Sequence, residues 1–303
     1  MGKQIKNQTA SILRRLLNFA KQHQIDFNRI LLIYFQQCFL KRLSLSEYKN
    51  QLIMKGGLLF SVELNTSSRP TKDMDFLGHR ISNQPEKILD VIKEIIQIEL
   101  EDGVIFDREN LNSEIISEQN SYNGVRIFVP VFLGRATTRL QIDIGFGDIV
   151  ILEPVNSSIP VLLTNDTIEI MAYSWESVIA EKFEAIVSFG DLNSRMKDYY
   201  DIYYIINHVE IDGTHLKEAL EETFSRRRTD FGHIEYIFSE SFIRNKNKMS
   251  QWNAFLRKVG EETHPDFSEV MSAIVKFLLP VISSIQENTE FKKLWNWQEK
   301  KWH

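Results

Sequence analysis

Leu52-Ile53-Met54-Lys55-Gly56-Gly57, and after it Asp73-Met74-Asp75-Phe76-Leu77, are the stretches on which the fold turns. Leu52-Ile53-Met54 is an apolar run long enough for a buried strand, and Lys55-Gly56-Gly57 stops it abruptly. Residues 58–64 resume without a turn residue and read as a helix beginning at the glycines. Residues 65–72 read as a loop. Asp73 to Leu77 then alternates polar with apolar, the pattern of a half-buried strand.

Before this region the chain reads as helical. Thr9 or Ser11 can cap a segment with Ile12, Leu16, Phe19 and Ala20 at helical spacing, and a second helix is expected over 26–41. After it, Ile88, Val91, Ile92, Ile95 and Ile96 predict a helix over 85–100, with Pro85 suited to its first turn. Strands are expected near 104–106, 114–118, 125–132 and 138–144. In the last, Leu140, Ile142 and Ile144 fall on one face while Arg139, Gln141 and Asp143 fall on the other. From about Trp175 the pattern turns helical, over 178–189, 194–207, 216–224, 249–259 and 267–277. The expected fold is α+β, with a helical segment over 1–50, a core containing the strands over 51–160 and a helical region over 161–303. The tryptophans at 295, 297 and 302 are expected to pack against the body.

Composition narrows the function without naming it. A chain of 303 residues with one cysteine, Cys38, carries no internal disulfide framework and no cysteine-based zinc site. A net charge of −5 argues against coating nucleic acid by bulk attraction, though a local basic groove remains compatible with it. The apolar run 275–285 is shorter than the ~20 residues a membrane span needs, and Pro280 interrupts it. The N-terminal residues are polar, so the expected compartment is the cytoplasm, with no membrane partner.

The chemistry sits in the carboxylates. Asp73 and Asp75 are two apart on a strand, so both side chains point the same way and repel unless something compensates. Mg²⁺ does so well, since it takes oxygen ligands from one or two carboxylates plus substrate phosphates. If Asp143 lies on a neighbouring strand, the three acids can hold two metals ~3.5–4 Å apart, as phosphoryl chemistry uses. Asp148 lies near the same strand end, and the alternation favours Asp143. Gly56-Gly57 offers bare backbone amides where phosphate meets a helix start. Each feature also has a plainer reading: exposed strand-end acids, a tight turn, a solvated Lys182 between Glu181 and Glu184, and an Asp198 that merely suits a helix N-terminus. Asp201 can pair with Lys197 at i, i+4. Arg226-Arg227-Arg228 with Lys246 and Lys248 forms the most basic patch, either a solvated helix end or a polynucleotide contact.

Lys55-Gly56-Gly57 followed by Arg69-Pro70-Thr71-Lys72-Asp73-Met74-Asp75-Phe76 resembles the first signature of the AbiEii/AbiGii-type nucleotidyltransferases. These are toxins of toxin–antitoxin and phage-abortive systems, related to the MenT toxins, on a polymerase-β-like fold, so the resemblance implies that the sheet is mixed. Glu181-Lys182-Phe183-Glu184-Ala185 resembles the family's later lysine motif, and Arg195-Met196-Lys197-Asp198-Tyr199-Tyr200-Asp201 its closing motif. The resemblance runs from about residue 51 to beyond 207. It implies that Asp73, Asp75 and Asp143 hold Mg²⁺ or Mn²⁺, that Lys182 meets the triphosphate of an NTP, that Asp198 or Asp201 completes the nucleotide pocket, and that Arg69 steadies phosphate or base. Where relatives place a hydroxyl after the first glycine, this chain has Gly57 and Leu58, so phosphate contact falls to backbone amides.

The resemblance further implies transfer of a nucleoside monophosphate to a hydroxyl, with RNA, above all the 3′ end of tRNA, as acceptor. A toxin role and a cognate antitoxin come with it. A small-molecule acceptor, or a non-catalytic protein that binds a nucleotide or a partner on the same fold, are the alternatives.

Overall fold

The structure, a computed structural model, describes residues 2–59, 71–118, 122–146, 152–259 and 265–303. The chain divides into two compact units, Met1–Ile149 with Pro154–Ala172, and Val150–Glu153 with Tyr173–His303.

The first unit is built on an eight-stranded mixed sheet. Its strands are β1 (Leu52–Lys55), β2 (Asp73–Gly78), β3 (Ile105–Phe106), β4 (Asn112–Glu118), β5 (Tyr122–Leu133), β6 (Ala136–Phe146), β7 (Val155–Pro160) and β8 (Thr167–Ala172). They lie in the order β3-β5-β6-β2-β1-β8-β7, with β4 also paired to β5. β2 runs parallel to β6 and β1 parallel to β8, while the other pairs are antiparallel. The expected α+β class holds. The sheet extends past the expected core boundary at residue 160, because β7 and β8 were not read as strands. In β7 only Ser157 and Ile159 are buried, so its apolar signal is weak.

Among the described residues this unit has the helices α1 (Gly2–Gln22), α2 (Phe27–Leu45) and α3 (Pro85–Ile96), besides the helical residues 57–59. Asp26 caps α2 by accepting from the Arg29 amide at 3.0 Å. The Phe39 ring of α2 meets Phe76 of β2 at 6.3 Å, which puts α2 on the sheet face that carries Met74, Phe76, Ile142 and Ile144. Gln37 fastens α2 to the end of β7, donating to the Pro160 carbonyl at 2.8 Å and accepting from the Leu162 amide at 2.9 Å. Arg42, 4% exposed, holds Asp102 with both guanidinium nitrogens, and Tyr34 donates to the Asp102 carbonyl at 2.8 Å. The N-terminal helices are therefore part of the sheet's unit rather than a segment apart, since α2 buries Ile30, Phe35, Phe39, Leu40 and Leu43 within it. In α3, Ile88, Val91, Ile92, Ile95 and Ile96 are all buried, the stripe the sequence predicted.

The second unit is mainly helical. Its helices are α4 (Trp175–Phe189), α5 (Met196–Ile206), α6 (Gly213–Arg227), the single turns α7 (Ile234–Ile237) and α8 (Glu240–Ile243), α9 (Lys246–Val259) and α10 (Phe267–Gln286). Three very short strands, β9 (Ile211–Asp212), β10 (Leu294–Asn296) and β11 (Lys301–Trp302), form a second sheet. Trp295 and Trp302 pack their rings on Phe277 at 4.9 and 5.1 Å, as expected, and each donates its indole N–H to a carbonyl, of Ile206 and Phe277 respectively, whereas Trp297 is exposed. α10 runs through Pro280 to Gln286, longer than the sequence reading allowed. Pro280 lies on the exposed side, where the carbonyl deprived of its donor faces water. At 20 residues α10 is long and apolar enough to cross a membrane by composition. Val270, Met271, Ile274, Phe277, Leu278, Val281 and Ile282 are nevertheless buried within this unit, which makes it a core helix.

The basic patch expected near residue 226 is partly internal. Lys248 is 1% exposed, and its ammonium donates to the carbonyls of Gly190, Asp191 and Asn193 at 3.1, 3.0 and 2.5 Å. Burial lowers its pKa. Arg227 reaches back to Glu184, itself 3% exposed, at 2.6 Å. Two of the five cations in the patch thus fix the polypeptide rather than meet a polynucleotide. Lys248→Ala would remove three hydrogen bonds in the turn that leads into α5, where the Gly190 carbonyl keeps the Asn193 amide, and we expect a loss of about 2–4 kcal/mol in a urea melt. Because the folded state lowers the lysine's affinity for its proton, the wild type should gain stability relative to the variant as pH rises towards 10.

Candidate active site

The acids expected to act together in the first unit share one face of the sheet. In β2 and β6 the apolar residues alternate inward, so Asp73, Asp75, Gln141 and Asp143 project from the face opposite α2. Register fixes their spacing. Asp75 is the direct partner of Asp143 on the parallel neighbour, and Asp73 is the partner of Gln141.

The same register extends sideways into a row of charges. Lys55 of β1 faces Asp75, Arg126 of β5 faces Asp143, and Glu114 of β4 faces Arg126. Across the sheet the order is Lys55, Asp75, Asp143, Arg126, Glu114. Two like charges placed side by side destabilise a sheet, and here a cation flanks each of them. Lys55 and Arg126 are site residues the sequence reading did not single out. Lys55 was quoted only as part of a motif, and the alternation of β5 would have put Arg126 on the polar face. Its partner could not be known without the register.

Arg126 grips Asp143 with a two-pronged fork. Nε donates to Oδ1 at 2.8 Å and Nη2 to Oδ2 at 2.7 Å. Gln141 adds its amide to the same carboxylate at 3.3 and 3.1 Å. Pairing with Asp143, helped by the fields of Asp73 and Glu114, raises the guanidinium pKa above its ordinary value. Lys55 reaches across β2, and its Nζ stands 3.4 Å from where a Cβ on Gly145 would be. The site therefore has acids at its centre and cations at both edges.

Gly56 closes β1 at φ +74°, a left-handed conformation that favours glycine, and residues 57–59 are helical. A Cβ at Gly56 would collide with Asp75 Oδ2 and lie 2.9 Å from the Asp75 Cβ and Cγ. The strand–glycine–helix reading of this region is thus correct as far as residue 59, and the glycine has a second reason to be there. Arg69, like Asp148, lies outside the described residues.

A divalent metal fits this face by donor type, three hard carboxylates being what Mg²⁺ prefers. Among the described residues no three such side chains converge closely enough to hold an ion, and Asp143 is turned to Arg126.

In the second unit, Lys182 of α4 and two acids of α5 form a buried cluster. Lys182 Nζ lies 2.6 Å from Asp201 Oδ2 and 3.3 Å from Asp198 Oδ1, with both acids 1% exposed. Arg195 Nε comes within 2.8 Å of Asp198 Oδ2, and it is half-exposed. Ser174 caps α4 through the Ser177 amide, Gly190 ends it at φ +50°, and Asn193 accepts from the Arg195 amide at 2.7 Å where α5 begins. The motifs quoted from the sequence for these two helices therefore meet in one cluster. Asp198 does lie in the first turn of α5, but it is buried against Lys182 rather than serving only the helix dipole.

A mixed sheet presenting paired aspartates beside a strand–glycine turn, and a lysine–aspartate cluster in the helical unit, are the features the sequence motifs led one to expect of a nucleotidyltransferase. The family described as nucleotidyl transferase AbiEii toxin of type IV toxin–antitoxin systems matches residues 38–273, well over half of the chain, and the protein belongs to this family. No curated protein matches the chain significantly. Among solved structures, JHP933 from Helicobacter pylori is similar over 87% of this chain and 95% of its own, with a TM-score of 0.51 and 14% identity, a likeness of fold. A second H. pylori structure, named provisionally as a nucleotidyltransferase, covers 87% of this chain and 97% of its own, with a TM-score of 0.45 and 14% identity.

Two changes test these geometries. Gly56→Ala should cost about 1–3 kcal/mol through the forced left-handed backbone and displace Asp75, read as a lower melting midpoint together with reduced activity. Asp201→Ala removes the nearer of the two carboxylates that hold Lys182 and leaves Asp198 at 3.3 Å, and a loss of about 1.5–3 kcal/mol in chemical unfolding is expected.

Proposed function

We propose that the protein transfers a nucleoside monophosphate from an NTP to a hydroxyl of RNA, with the 3′ end of tRNA as the leading acceptor, and releases pyrophosphate. In this reading Asp73, Asp75 and Asp143 hold Mg²⁺, or Mn²⁺ in its place. The observation that supports it most is the direct lateral register of Asp75 on Asp143, with Asp73 two residues away on the same face.

A bound divalent ion supplies positive charge where the triphosphate and the attacking oxygen meet. The chain's own residues divide the remaining work. Asp143 takes the proton of the attacking hydroxyl as its oxygen bonds to the α-phosphorus and the α–β bridge breaks. Gly56 and Gly57, lacking side chains, bring backbone amides to the phosphates. In the second unit Lys182, held by Asp198 and Asp201, is the motif lysine that the family resemblance assigns to phosphate. Nothing covalent forms on the enzyme, so rate comes from positioning and charge.

Membership in a type IV toxin–antitoxin family implies NTP as substrate and a cognate antitoxin. The RNA acceptor follows from the resemblance of the motifs rather than from the basic patch, two of whose members are committed inside the second unit.

Purified protein incubated with Mg²⁺, each α-labelled NTP in turn and total RNA should label RNA. Asp75→Ala should abolish the label, at least 10²-fold, while leaving the melting curve near that of the wild type. Nucleotide bound with no label passed to RNA would instead support the binding-protein alternative. Label passed to small molecules alone would overturn the RNA acceptor.

A further inference from the structure

We propose that Arg126 and the divalent cation compete for Asp143, so that the ion pair in this structure is the closed form of the site and its exchange is coupled to the arrival of a triphosphate. The inference rests on the metal reading given above and adds a residue to it.

An ionised carboxylate offers about four lone-pair directions. The Arg126 fork takes one on each Asp143 oxygen, and the Gln141 amide leans on both. Mg²⁺ demands near-ideal octahedral geometry, and a guanidinium in the same plane repels it. Asp143 cannot serve both well. Arg126 is free to leave, because its side chain is 31% exposed and anchored at its tip, whereas Asp143 is 14% exposed and fixed on the central strand.

Charge decides what must happen on leaving. With Arg126 in place, Lys55 and Arg126 stand among four carboxylates on the same face, those of Asp73, Asp75, Asp143 and Glu114, and Asp143 has a cation of its own. A free cation that displaces Arg126 leaves its guanidinium beside a divalent ion with only Glu114 of the next strand as counter-charge, which is less favourable than the fork on Asp143. A metal–triphosphate brings a cation for Asp143 and phosphate oxygens for Arg126 together, and the planar fork suits phosphate as well as carboxylate. Asp143 and Arg126 then both keep a partner. The site is built to take metal and triphosphate as a pair and to discriminate against metal alone.

The test needs no turnover. Mn²⁺ binding is measured by paramagnetic titration with and without inorganic tripolyphosphate, which avoids choosing a base. In the wild type, tripolyphosphate should strengthen Mn²⁺ binding. Arg126→Gln should bind Mn²⁺ alone about tenfold more tightly and lose that enhancement, so the two readouts move in opposite directions. Arg126→Lys keeps the charge without the fork and should tighten Mn²⁺ about threefold. Should the glutamine variant fail to fold by its melting curve, the lysine variant alone decides. Folded variants that bind Mn²⁺ no more tightly than the wild type overturn the competition and leave the metal site standing. Wild-type Mn²⁺ binding unaffected by Asp75→Ala would overturn the metal reading itself, and this inference with it.

Discussion

The parallel pairing of β2 with β6 sets Asp75 directly beside Asp143. Neighbouring strands lie about 4.8 Å apart, so two carboxylates in register cannot avoid each other's charge. The sheet accepts that repulsion on one face because the other face buries Met74, Phe76, Ile142 and Ile144 completely, and a shift by one residue would exchange the two faces. Hydrophobic burial thus locks in place an electrostatic arrangement that is unfavourable by itself. The flanking cations on β1 and β5 then make it tolerable.

In this structure each of the two adjacent acids has a cation beside it. The Gly56 turn, pressed against Asp75, and the Arg126 fork on Asp143 constrain the two acids from opposite edges. The second unit uses the same chemistry in a drier setting, where Lys182 is held between Asp198 and Asp201 and the turn before α5 is fastened by the buried ammonium of Lys248.

Much of this was legible in the sequence, for reasons that can be traced to particular residues. The strict alternation of 140–144 gave the strand and its polar face, and the isoleucine stripe of 85–96 gave α3. Motif residues on α4 and α5 proved to be partners. What could not be read was pairing. Nothing local distinguishes Arg126, which completes the row, from any other arginine on a strand, and Asn156-Ser157-Ser158 conceals an edge strand because its environment asks little of it. Lys248 read as surface charge since its three acceptors are backbone carbonyls, which leave no mark on the sequence. Pro280 read as a stop, yet an exposed helix flank tolerates the lost hydrogen bond.

Crystals soaked with Mn²⁺ and a non-hydrolysable NTP, examined by anomalous scattering, bear most directly on the row of charges. A metal site on this sheet face requires a peak about 2.1 Å from carboxylate oxygens of Asp75 and Asp143, with the Arg126 fork turned from Asp143 to phosphate. A peak elsewhere, or an Asp143 still gripped by Arg126 with nucleotide bound, would contradict it.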